Sequence, residues 1–195
     1  MQDWITEKYL LRNMLSKSCL KLVDLYFDGI HGVELKKVRL GEVTLTYNPQ
    51  KIQIFEIEKG FSELGFTVVT DENEALVENI KVAAIELIHH ANNMSSLIRN
   101  SDYISDRVQV PYDKLSKVFS SVTGTTLEKY LILLKIERAK ELILNSEYTL
   151  SEISYMLGYS SVQYLSNQFK KTTGFTVSQY KNGAQVERIP LENIL

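Results

Sequence analysis

Apolar residues change their spacing once along this 195-residue chain, and the change divides it. Up to about residue 70 the runs are short. Residues 8–13 form a strand-length run, and residues 33–40 and 42–47 read as paired strands separated by Gly41. Between the first two, Leu20, Val23 and Phe27 share one helical face over residues 19–27. Asn48-Pro49 turns the chain, residues 54–64 fit a second helix, and residues 66–70 a last strand. The order βαββαβ predicts the split, ferredoxin-like arrangement. From residue 78 onward every period is helical, with helices expected over 78–91, 102–107, 111–121, 127–145, 150–157 and 161–171. The expected class is therefore α+β: a βαββαβ domain over residues 1–75, an all-α domain over 76–181, and a tail over 182–195. That tail has Ile189, Pro190, Leu191, Ile194 and Leu195 without clear periodicity. Docking on the body, docking on a partner and disorder all stay open for it.

The helical half contains a repeat at an offset of 50 residues. Residues 115–130, LSKVFSSVTGTTLEKY, lie over residues 165–180, LSNQFKKTTGFTVSQY, with seven identities in sixteen positions. In each copy Leu and Phe are i,i+4, one buried stripe (Leu115/Phe119 and Leu165/Phe169). Gly124 and Gly174 end those helices, where a positive φ is needed. New helices follow, with Thr125-x-x-Glu128, Thr176-x-x-Gln179 and Thr149-x-x-Glu152 reading as capping boxes.

A short helix, a tight turn at Gly158 and a second helix from Ser160 or Ser161 is helix-turn-helix grammar. The first copy shows the same layout, with a turn at 108–110 and a helix opening with Pro111 at N1. The long helix between the copies carries an apolar stripe with Leu131, Leu134, Ala139 and Leu142. Nineteen residues make it about 28 Å long. That suits two recognition helices held near the ~34 Å spacing of successive major grooves.

Charge sharpens this picture only slightly. Residues 1–75 hold nine Lys/Arg against twelve Asp/Glu, while residues 100–181 hold ten against eight. Any DNA footprint is expected in the basic half. No apolar run approaches the ~18–20 residues of a membrane span, so no membrane partner is expected. Asp3, Glu7, Lys8 and Arg12 among the first apolar residues do not read as a secretory signal. The lone Cys19 fits a reducing compartment, and a cytoplasmic protein is expected. With no phosphate loop, dinucleotide fingerprint, H-E-x-x-H or nucleophile elbow, no enzyme and no cofactor is expected.

Residues 148–180, from Tyr148-Thr-Leu-Ser-Glu-Ile through Gly158-Tyr-Ser-Ser to Gly174 and Tyr180, resemble the second motif of AraC/XylS-type transcription regulators. Residues 135–143, KIERAKELI, resemble the linker helix of that family, and the likeness spans about residues 80–181. Lys135 stands where the family often has Arg, Ser105 and Ser154 replace small residues, and Gln109 takes a turn position often held by Gly. The resemblance implies a sequence-specific regulator with double-stranded DNA as partner and RNA polymerase as a second one.

Base contacts are expected on the face flanking each Leu/Phe stripe. In the second copy these positions are Ser161, Val162, Gln163, Ser166 and Asn167, with Tyr164 nearby; in the first they are Tyr112, Asp113, Ser116 and Lys117. Gln and Asn can bond adenine through N6 and N7, and Val or Ser can touch a thymine methyl. Lys117 suits guanine or a phosphate, and Asp113 only cytosine. Lys170, Lys171 and Lys129 read as phosphate clamps. The plainer alternative is that all these are solvated helix residues.

The N-terminal half resembles the heavy-metal-associated domain through residues 13–19 (NMLSKSC), Gly32-Val33, Tyr47-Asn48-Pro49 and residues 63–66 (ELGF). That family's C-x-x-C loop holds a soft ion between thiolates, but here Ser16 takes the first position and Cys19 alone remains, a weak candidate ligand. Homodimerisation, binding of another ligand and assistance to folding all stay open for this domain. His89 and His90 are adjacent and diverge on a helix, so they do not chelate together. The rival readings are a metal carrier or sensor working through the N-terminal half, and an interaction adaptor using the helical half as scaffold.

Overall fold

The computed structural model describes residues 4–90, 99–145 and 147–195. It contains two compact units, residues 1–82 and 83–195. The first is built on a four-stranded sheet and the second on helices, so the chain is α+β.

In the first unit β1 (Ile5–Arg12), α1 (Lys17–Asp28), β2 (Val33–Arg39), β3 (Glu42–Tyr47), α2 (Ile54–Glu63) and β4 (Thr67–Val68) follow in the expected order. The sheet runs β2-β3-β1-β4, antiparallel throughout. β1 starts three residues earlier than its apolar run, because Ile5 through Leu10 all pair with β3. β4 keeps only two residues against β1. β2 is an edge strand with a register shift between Leu35 and Lys37.

One sheet face supplies Tyr9, Leu11, Val43 and Leu45 to the core, and period 2 puts them there together. Phe27 of α1 and Phe61 of α2 close it, with ring centroids 4.9 Å apart, and Tyr9 lies 5.2 Å from Phe61. Met14 is buried in the same cluster. Gly60 makes α2 fit, since a Cβ there would meet the Tyr26 ring at 2.6 Å. The Tyr26 hydroxyl in turn donates to Glu63 at 2.8 Å.

α3 runs Glu72–Ile85, beginning before the expected residue 78 because the Asp71 carboxylate accepts from the amides of Asn73 and Glu74, both at 2.9 Å. It continues as a π-helical turn over Glu86–His90. The expected end at residue 91 lies outside the described residues.

The second unit continues with α4 (Asn100–Val108), α5 (Tyr112–Thr123), α6 (Leu127–Asn145), α7 (Leu150–Met156), α8 (Val162–Thr173) and α9 (Val177–Lys181), then a 3₁₀ turn at Leu191–Asn193. α6 does not present a simple stripe. Eleven of its nineteen residues are buried, Lys135, Glu137 and Lys140 among them. Thr149 and Thr176 head the expected capping boxes. At α6 the expected cap shifts by one: the Thr126 hydroxyl accepts from the Lys129 amide at 3.2 Å, in register with Thr176, while the Thr125 amide donates to Thr123. Pro111 likewise sits at the N-cap and not at N1, matching Ser161 in the second copy. The tail is docked on α6, with Ile194 buried.

Replacing Gly60 by Ala is expected to displace the Tyr26 ring and break its bond to Glu63. Overpacking of this kind costs about 1–3 kcal/mol, readable as a lower denaturation midpoint.

Candidate nucleic-acid interface

The repeat in sequence is a repeat in space. From residue 111 to 119 the succession of exposed, half-buried and buried positions is the same as from 161 to 169. Leu115, Phe119, Leu165 and Phe169 are fully buried. Phe119 packs on Tyr130 at 5.2 Å and Phe169 on Tyr180 at 5.5 Å.

Each recognition helix also ends in the same stitch. The Thr123 hydroxyl donates to the Phe119 carbonyl at 2.8 Å and accepts from the Thr125 amide at 3.2 Å, and Thr173 does the same with Phe169 and Phe175. Gly124 and Gly174 follow with φ of 69° and 81°. Six of the seven identities therefore serve packing, capping or the turn. Only Ser116/Ser166 lies beside the open face.

On α8 the exposed face presents Gln163 and Asn167, one turn apart, with Val162 and Ser166 half-buried at its margin and Lys170 and Lys171 exposed beyond. The Gln163 amide donates to the Asn167 side-chain oxygen at 2.9 Å, so each fixes the other's direction. Ser161 is drawn away from that face into capping, accepting from the Tyr164 amide at 3.1 Å. Tyr164 stands 55% exposed and packs edge-on against Tyr159, centroids 5.8 Å apart.

On α5 the corresponding face presents Asp113 and Lys117, with Ser116 half-buried. Tyr112 is tied down, because its hydroxyl donates to Glu128 at the start of α6 at 3.0 Å. Burial, reinforced by that bond, pushes the Tyr112 phenol up, well above its ordinary range. Lys129 is exposed near the same helix start.

The turns before the two recognition helices differ. Gly158 takes the left-handed conformation with φ of 67°, and Gln109 takes it with φ of 60° at the equivalent place. A side chain there carries strain that glycine lacks. Beneath the second turn Lys135, buried in α6, lies 5.4 Å over the Tyr159 ring, a cation–π contact. Burial lowers the Lys135 ammonium to about 8. Neither Glu128 nor the Lys135–Tyr159 contact was visible as a site in the sequence. The Thr123/Thr173 repeat was the available signal for the stitch.

In the first unit Cys19 sits in the first turn of α1, with its sulfur 3.2 Å from the Ser16 hydroxyl. A hydroxyl replaces the second thiolate that a soft ion requires. No group of three His, Cys, Asp or Glu suited to a metal occurs among the described residues. The metal-carrier reading finds no support in this donor set. The His90 side chain lies outside the described residues. Among the described residues no helix is long and apolar enough to cross a membrane.

Two helix-turn-helix units packed on one largely buried helix, α6, place the second unit in the helix-turn-helix class. Residues 104–183 match the family model "Helix-turn-helix domain". The xylose operon regulatory protein of Escherichia coli (strain K12) is 30% identical over 100 residues, 51% of this chain and 26% of that protein. The HTH-type transcriptional activator RhaR of Mannheimia succiniciproducens is 27% identical over 197 residues, covering 90% of this chain and 70% of that protein. Among solved structures, the C-terminal domain of AraT, a response regulator from Geobacillus stearothermophilus, is 22% identical, covers 62% of this chain and 94% of that one, and has a TM-score of 0.47. The chain thus spans about a quarter of the length of the xylose regulator.

Two outcomes follow from this geometry. Gln109→Gly is expected to stabilise the chain by about 1 kcal/mol in denaturant titration, by relieving the left-handed side chain. Lys135 binds a proton less tightly folded than unfolded, so stability is expected to rise as pH climbs from about 8 toward 10, by about 2 kcal/mol. Lys135→Met should abolish that rise.

Proposed function

We propose that this chain is a sequence-specific DNA-binding transcription regulator that inserts α5 and α8 into successive major grooves of an asymmetric site. The carrying observation is the division of labour within the repeat: identical residues do structural work, while the open faces differ. One copy offers Asp113, Ser116 and Lys117, the other Val162, Gln163, Ser166 and Asn167. Unlike faces on like frames suit a site whose two halves are unlike, read by one molecule without twofold symmetry.

In this reading Gln163 and Asn167 exchange their mutual bond for bidentate contacts, most naturally with adenine. Lys117 reads guanine or holds a phosphate, and Asp113 accepts from cytosine or rejects other bases. Tyr112, Ser161 and Tyr164 act at the margin, as phosphate or methyl contacts. Lys170, Lys171 and Lys129 supply affinity that is indifferent to sequence. Action on transcription implies contact with RNA polymerase in the cytoplasm. We read the first unit, from its sequence resemblance, as a heavy-metal-associated-like domain without its ligand pair, available for homodimerisation or for an effector.

The test is selection from a random duplex library at one moderate salt concentration, with Gln163→Ala and Asn167→Ala beside the parent chain. An enriched motif whose preference relaxes at particular bases in each variant is expected, by about 1–3 kcal/mol per lost contact. Lys170→Ala should weaken binding to all sequences alike and lower the salt slope by about one. Uniform binding that fades with salt and selects nothing would refute base reading.

A further inference from the structure

Residues 184–195 follow the matched domain, yet α6 is built to receive them. Glu137 and Lys140, each 3% exposed, form an ion pair on one face of α6. Each keeps bonding capacity beyond the pair, and main chain fills it. The Lys140 ammonium donates to the Glu187 carbonyl at 2.8 Å, and the Ile189 amide donates to the second Glu137 oxygen at 3.1 Å. Arg188 lies 3.7 Å from Glu141 on the next turn, and Ile194 is buried. A fixed donor and a fixed acceptor thus grip a carbonyl and an amide two residues apart, whatever side chains the segment carries.

The repeat explains why only the second copy has such a strap. At the 50-residue offset, α9 corresponds to the first turns of α6. Thr126 and Thr176 cap the two, and Tyr130 and Tyr180 pack on the two recognition helices alike. The first copy then continues as the 19-residue helix. The second stops at Lys181, and Gly183, at φ of 92°, turns the chain back. Chain continuity leads from α6 through α7 and α8 to α9, and the strap returns to the middle of α6. The second copy is closed into a ring that the first does not need.

We propose that residues 184–195, gripped by Glu137 and Lys140, hold the second recognition helix in place on α6, making these two side chains positioning residues for base reading by α8 alone. The proposal rests on the DNA-binding reading above. Its distinguishing mark is asymmetry, since general destabilisation would weaken both halves of the site together.

The full chain is tested in two ways, by library selection and by amide hydrogen exchange. Ile189→Pro removes the amide donor without changing charge, and Ile189→Ala keeps it as control. In Ile189→Pro, preference at the bases assigned to α8 through the Gln163 and Asn167 variants is expected to relax about tenfold, the loss of one hydrogen bond to a charged group. Preference at the bases read by α5 should stay as in the parent, and α8 amides should exchange faster. Ile189→Ala should behave as the parent. Should Ile189→Pro fail to fold, Glu137→Gln, which unpairs Lys140 while keeping the shape, is read by the same criteria. Parallel loss at both halves, or an unchanged motif with unchanged exchange, overturns the proposal. If the parent selects no motif, the DNA reading fails by itself. Exchange still decides the strap, with opening of α8 in Ile189→Pro supporting it and unchanged protection overturning it.

Discussion

The C-terminal unit depends on the burial of three charges in one helix. A charge taken out of water must find a partner or destabilise the fold. In α6, Glu137 and Lys140 find each other, and Lys135 finds the face of Tyr159. These pairings demand neighbours on several sides of the helix at once. α6 is therefore less a spacer with two units attached than the core around which both units fold.

Within that frame the repeat separates two jobs. Leu, Phe, Thr, Gly, a capping Thr and Tyr recur because the helix pair, its stitch and its turn need the same atoms in both places. The faces turned to solvent are released from that requirement and have diverged. Gln163 and Asn167 spend their polarity on each other in the free chain, which limits the freedom that a partner would have to freeze. Asp113 and Lys117 carry opposite charges on one exposed face of α5.

Period and spacing made much of this legible. Alternation along residues 42–47 and the i,i+4 stripe at Leu20, Val23 and Phe27 announced the sheet and its helix, because side-chain direction follows backbone period directly. The 50-residue offset announced both recognition helices to within two residues. Less legible were features whose cause is tertiary. Thr125 and Thr126 are adjacent and chemically equal as caps, and only the Thr123 hydroxyl, claiming the Thr125 amide, decides between them. The burial of Lys135, Glu137 and Lys140 ran against their polarity, since the segment that covers two of them lies some fifty residues away. The tail had no periodicity to read, because α6 holds it largely by its backbone.

The edge strand β2 has a consequence beyond the site. An unpaired strand edge is a template on which other chains can add. β2 is broken by its shift between Leu35 and Lys37, and it carries Lys36 and Lys37 at that break. A second strand laid along it would meet a kink and two like charges. The β2 edge is therefore a poor template for a further strand.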